Sequence, residues 1–214
     1  MEDSELINLW KSHNKTLNEN LVFNKKNAEE ITRMKIRSVI ESIRPVKLIA
    51  IITGIFWVGF IDTLIVDLFD RANIYFIISA AGQSLLSTIC IAVYVYHLVL
   101  IQQVAIDDSI LATQEKIARL KSSTLWVARI AFLQLPLWTT FYWNERMFEH
   151  ANTGMIVLQV FVTVSFTLLS VWLLLNIKYE NRHKKWFRLI FNGPEWKPII
   201  KALDILNQID EYRN

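Results

Sequence analysis

Asp62 is a carboxylate inside an apolar run, and that placement makes it the side chain most able to do chemistry in this sequence. A charge in hydrocarbon is costly, so it marks either an ion or proton path or a polar contact between helices. At about 1.5 Å per residue, Asp62 lies roughly 23 Å along its run from the basic end. Thr63 adjoins it, and Thr139, Thr140 and Gln159 fall at a similar level in other runs, so the five are expected to form one polar layer. Gln83 and Gln134 fall near the middle of their runs, with Pro136 just beyond Gln134. A transport path is expected to show more than one carboxylate. Interhelical hydrogen bonds, worth about 0.6–2 kcal/mol each, are therefore the favoured role for this layer.

Other reactive residues do not gather. His13, His97, His150 and His183 lie in four regions of different depth. His97, beside Tyr94 and Tyr96, reads as an interfacial residue. Arg129 lies roughly 8 Å into its run, far from the level of Asp62, and is expected to snorkel toward the headgroups, as is Lys47. Cys90 is the only cysteine, so an intramolecular disulfide and a cysteine-based metal site are both excluded. The sequence carries no Gly-rich phosphate loop, nucleophile elbow or paired-histidine zinc motif. The acidic pair Asp67 and Asp70 is too short a match to a metal motif and reads as a solvated turn. No catalytic residue, cofactor or metal is expected, and the chain reads as a non-enzyme.

The elements that hold these residues are membrane spans. Of 214 residues, 53% are hydrophobic and 20% charged, and the apolar residues are concentrated in runs at 46–68, 73–101, 124–143 and 154–177. Each run is apolar all round over the length of a hydrocarbon core, which reads as a helix through lipid. The expected fold is all-α, an integral membrane four-helix bundle spanning 46–177 with cytosolic amphipathic helices at both termini. The first 45 residues are too polar for a secretory leader.

Charge orients the bundle. Lys and Arg number eight in the arm 1–45, three in the connection 102–123 and eight in the tail 178–214, against Arg71 and Arg146 in the other two connections. The positive-inside rule puts both termini and the middle connection in the cytoplasm. The net charge of +3 is too weak to suggest nucleic acid.

The cytosolic segments are amphipathic. In the arm, Leu6, Leu9, Trp10, Leu17, Leu21, Ala28, Ile31 and Met34 recur at helical spacing until Pro45 closes it. Packing within the same molecule is the favoured use of that stripe, ahead of a partner helix or the membrane surface. The middle connection reads as a helical hairpin turning near Asp107–Ser109. The tail is expected to continue the last span, with Trp186 and its aromatic and basic neighbours at headgroup level. After Gly193-Pro194 a last helix carries Trp196, Ile200 and Leu203 on its apolar stripe. Membrane, other helices and a partner are the three candidates to cover it.

Leu9-Trp10-Lys11, Phe132-Leu133-Gln134-Leu135-Pro136, Lys185-Trp186-Phe187 and Pro194-Glu195-Trp196 together resemble a family of small four-span bacterial inner-membrane proteins without an assigned activity. The resemblance implies a bacterial origin and the same architecture, and it implies no catalytic residue.

Two function classes remain. The first is a membrane-anchored interaction or regulatory module acting through Leu6, Trp10, Leu17 and Leu21 of the arm and Trp186, Trp196, Ile200 and Leu203 of the tail. Its partners are the lipid bilayer and a cytosolic protein or a second copy. The alternative is a small oligomeric transporter or channel lined by Asp62 and Gln159.

Overall fold

The computed structural model describes residues 2–104, 110–144 and 152–213. Every regular element among them is helical. They are α1 (Glu2–Glu41), α2 (Arg44–Leu68), α3 (Ile74–Val104), α4 (Ile110–Leu133), α5 (Leu135–Thr140), α6 (Thr153–Asn176), a short 3-10 helix (Tyr179–His183), α7 (Lys185–Ile190) and α8 (Trp196–Arg213). The expected hairpin turn at Asp107–Ser109 lies outside the described residues, as do Arg146 and His150.

The arm and the first apolar run form almost one helix. Pro45 sits in the first turn of α2, where its missing N–H leaves no bond unmade. Ile43 keeps helical angles, and the Lys47 N–H still donates to the Ile43 carbonyl at 3.1 Å. The junction is therefore a pinch in the helix and not a reversal.

Three helical runs are long and apolar enough to cross a membrane: Ile7–Leu68, Ile74–Val104 and Thr153–Asn176. Their outward faces are apolar, with Phe56 75% exposed and Val66, Phe161 and Leu168 also open. Such surfaces need cover in water, and the length and composition of these helices are compatible with a membrane protein. The run at 124–143 is different. It is divided between α4 and α5 at Gln134, because Pro136 has no N–H to offer the Phe132 carbonyl and the helical ladder breaks there. Neither piece is by itself a spanning helix among the described residues. Even so, α5 packs against both α3 and α6.

Small residues set the helix spacing. A Cβ on Gly54 would meet Ile91 Cγ1 at 2.9 Å, and one on Gly82 would meet Leu137 Cδ1 at 3.0 Å. Glycine at these points lets α2 approach α3 and α3 approach α5.

Two buried clusters gather the ends of the helices. The first joins Ile36 and Ile40 of α1 and neighbouring Ile43 to Leu100, Ile101 and Val104 of α3, Ile117 and Leu120 of α4, and Ile199 and Ala202 of α8. The second joins Leu125 of α4, Leu173 of α6 and adjacent Ile177 to Phe187, Phe191 and Trp196. The tail is thus folded back onto the spans. It does not continue α6 as one helix, contrary to expectation. Ile177 leaves the helical region with ψ 79°. The carbonyls freed there are taken by side chains: Arg129 donates twice to the Ile177 carbonyl, and Asn181 Nδ2 donates to that of Asn176.

Candidate functional site

The polar layer resolves into separate contacts. Ser84 Oγ donates to Asp62 Oδ1 at 2.5 Å, tying α3 to α2. Thr63 Oγ1 donates to the Gly59 carbonyl of its own helix. On the other side of α3, Ser79 and Thr140 share a hydrogen bond of 2.9 Å. Gln159 Nε2 donates to the Thr139 carbonyl at 2.8 Å, and Thr139 Oγ1 donates to the Pro136 carbonyl. The expected single layer of Asp62, Thr63, Thr139, Thr140 and Gln159 is therefore corrected. Asp62 lies with Ser84, while Thr139, Thr140 and Gln159 form a second group with Ser79. Gln134 Nε2 reaches Ser87 Oγ at 3.3 Å, and Gln83 is buried with its amide unpartnered. Ser79, Ser84 and Ser87 were the missing partners. Ser79, Ala80, Ala81, Gly82 and Ser84 are small enough for close packing, but their types do not say which hydroxyl meets which neighbour. The bonds between helices clip α2 to α3, α3 to α5 and to Gln134 just before it, and α5 to α6.

A buried ion pair lies at one end of the bundle. Lys47 is 0% exposed, and its Nζ sits 2.8 Å from Glu195 Oε2. The same Nζ lies 4.0 Å over the Tyr94 ring, a cation–π contact. Tyr94 and His97 are three residues apart on one face of α3, with ring centroids 5.7 Å apart. His97 Nε2 and Ser123 Oγ are 2.7 Å apart. Ser123 Oγ also lies 2.8 Å from the Arg119 carbonyl, so its one hydroxyl proton can go to that carbonyl or to Nε2. The other ring nitrogen, Nδ1, is buried without a partner among the described residues.

Two readings change here. Lys47 does not snorkel, because Glu195 reaches it. His97 is buried between α3 and α4. Arg129 does not snorkel either. Its Nε and Nη2 lie 2.8 and 2.6 Å from the Ile177 carbonyl, where a cation also suits the C-terminal end of the α6 dipole. Glu195 had been hidden by its local context: an acid between Pro194 and Trp196 reads as an ordinary helix-start charge.

The interaction residues divide into covered and uncovered sets. Trp196 is buried, its ring 5.8 Å from Phe187 and 5.0 Å from Phe191. Ile200 packs on the same cluster and Leu203 on the first one. Trp186 stands edge-on to Trp172 of α6 at 4.9 Å. From Trp196 to Ile205 the tail helix therefore has its apolar cover inside the molecule. In the arm, by contrast, Trp10 is 68% exposed, Leu17 51% and Leu21 59%. The Leu6 side chain lies outside the described residues. Packing within the molecule, expected for the whole stripe, is found only at its base around Ile36 and Ile40.

Among the described residues no three His, Cys, Asp or Glu side chains are grouped to hold a metal ion. The arrangement is one of clips, a latch and an arm held at its base. No protein-family model, no curated protein and no solved structure matches this chain.

Proposed function

We propose that this chain is a four-span bacterial inner-membrane protein with both termini in the cytoplasm, acting as a non-enzymatic interaction or regulatory module. Three apolar helices and the contacts of α5 with α3 and α6 support the span count. The concentration of Lys and Arg in the arm, middle connection and tail supports the orientation.

The observation that carries the reading is the arm. Its base is clamped by α3 and α8, while Trp10, Leu17 and Leu21 stand uncovered on a helix that projects from the bundle. Isolated exposed apolar residues need no explanation, but a stripe of them along one projecting helix is a partner-docking pattern. The occupant is a cytosolic protein or a second copy. Changing Trp10, Leu17 and Leu21 together to Glu is expected to weaken partner retention by about 100-fold or more, since buried anchors each contribute roughly 2 kcal/mol. Affinity purification from native membranes in mild detergent, with particle mass, reads this out. Unchanged retention with unchanged mass would overturn the assignment.

The competing reading is a small oligomeric transporter. The split of the polar layer counts against it, because Asp62 faces Ser84 while Gln159 belongs to another contact. Proteoliposome flux is expected to be the same for the wild type and Asp62→Asn. A flux abolished by Asp62→Asn would favour the transporter.

A further inference from the structure

We infer that a cleft in the tail binds a phosphate group, presented by an anionic phospholipid or by a soluble phosphate compound. The cleft has a volume of about 610 Å³ and lies among the 3-10 helix, α7 and the first turns of α8. Its rim carries Arg182, His183, Arg188, Lys197 and Lys201 against one carboxylate, Asp204. None of those four Lys and Arg side chains is in an ion pair among the described residues.

Asp204 offsets only one of these four charges. Its floor is Phe187, Phe191 and Trp196, all buried, with the two phenylalanine rings stacked at 4.3 Å. A rigid apolar floor keeps the local dielectric low and strengthens the field of the cations above it. The rim's Arg182 guanidinium lies 4.4 Å over the Tyr179 ring, and Lys121 Nζ lies 4.0 Å over the same ring, so that aromatic brings one further positive group close by. A bound anion relieves that repulsion. Phosphate suits the donor set better than a carboxylate does, because it offers more oxygens and more charge to guanidinium forks and ammonium groups together. A cleft of this size fits a headgroup or a small phosphate compound, not a nucleic-acid track.

The position of the cleft points to the bilayer surface, and this step rests on the membrane reading proposed above. The 3-10 helix and α7 follow directly on the end of α6. On α7, Leu189 is 83% exposed beside Lys184 and Lys185, and Trp186 leans on Trp172 of α6. An apolar residue, a tryptophan, Lys185 and Arg188 in one short helix match the headgroup layer.

The test uses full-length protein in phosphatidylcholine nanodiscs with and without phosphatidylglycerol, and in detergent with pyrophosphate. Lipid retention is read by native mass spectrometry and pyrophosphate binding by the shift in unfolding temperature. The variant is Arg188→Gln with Lys201→Gln, both exposed positions. The control is Lys25→Gln with Lys26→Gln, the same charge change on the arm. The wild type and the control are expected to bind one or both probes, and the cleft variant about tenfold more weakly or worse. Retention of phosphatidylglycerol assigns a lipid headgroup, and a pyrophosphate shift alone assigns a soluble phosphate compound. Either supports the proposal. Binding of neither probe, equal binding by the cleft variant, or equal loss in the control overturns it. Arg182→Gln with Lys197→Gln serves as a second pair if the first lowers the unfolding temperature by itself. Neither pair touches the arm and the pyrophosphate arm needs no bilayer, so failure here leaves the partner-docking result standing.

Discussion

Replacing Glu195 with Leu is expected to destabilise the protein by about 3–5 kcal/mol, the usual cost of orphaning a buried charge. Lys47 is fully buried, and among the described residues Glu195 is the only carboxylate paired with it. The Tyr94 ring alone does not replace a carboxylate, because a cation–π contact contributes only about 0.5–2 kcal/mol. Lys47→Met is expected to cost less, since Glu195 keeps some access to water. The double variant Lys47→Met with Glu195→Leu is expected to recover most of the loss, because buried ion pairs and apolar pairs of like volume are often close in stability. Unfolding in detergent, analysed as a double-mutant cycle, measures the coupling. The effect persists in high salt, unlike that of the exposed Arg37–Glu41 pair, which is worth about 0.3–0.5 kcal/mol. A Glu195→Leu protein as stable as the wild type would mean that Lys47 is not confined as described.

The ion pair also bears on the arm. Glu195 immediately precedes α8, and α8 supplies Ile199 and Ala202 to the cluster that grips Ile36 and Ile40. A tail released at Glu195 loosens the base of α1 as well. The latch therefore connects the spans, the tail and the projecting helix through one contiguous set of packed residues.

What was legible in the sequence was local. Apolar runs and periodicity placed the helices, Pro45 and the Gly193-Pro194 stop marked two boundaries, and the Trp196 stripe announced a face in need of cover. What was not legible was pairing between distant positions. Lys47 and Glu195 are 148 residues apart, and nothing near either one names the other. The same holds for Asp62 with Ser84 and for Gln134 with Ser87. Depth along a span was computable, but rotation about the helix axis was not. Residues at one level were therefore merged into one layer although they face different neighbours. Pro136 was visible, yet its consequence, the division of the run at 124–143, depended on whether neighbouring groups would repair the ladder. The arm erred the other way: amphipathicity called for a cover, and the molecule supplies one only at the base.

Arg129 is where such a distant contact controls the chain path, and its replacement gives the second large effect. The last carbonyls of α6 have no partner within the helix, and the buried Ile177 turns the chain away from it. Two charge-assisted bonds from one guanidinium satisfy the Ile177 carbonyl. Arg129→Met removes both and is expected to cost about 1.5–3 kcal/mol, the range for hydrogen bonds to charged groups. Arg129→Lys retains one point donor and is expected to fall between the two. The loss is concentrated in the tail, so trypsin cleavage after Lys178 and Arg182 in detergent is expected to rise about tenfold or more, as the opening free energy falls by at least 1.4 kcal/mol. Equal cleavage in the Met variant and the wild type would show that the tail does not depend on this cap. Combined with Glu195→Leu, the Met variant also tests how the tail docks. If the tail releases as one unit, the second substitution adds little to cleavage once the first has freed it, whereas independent anchors give additive free energies.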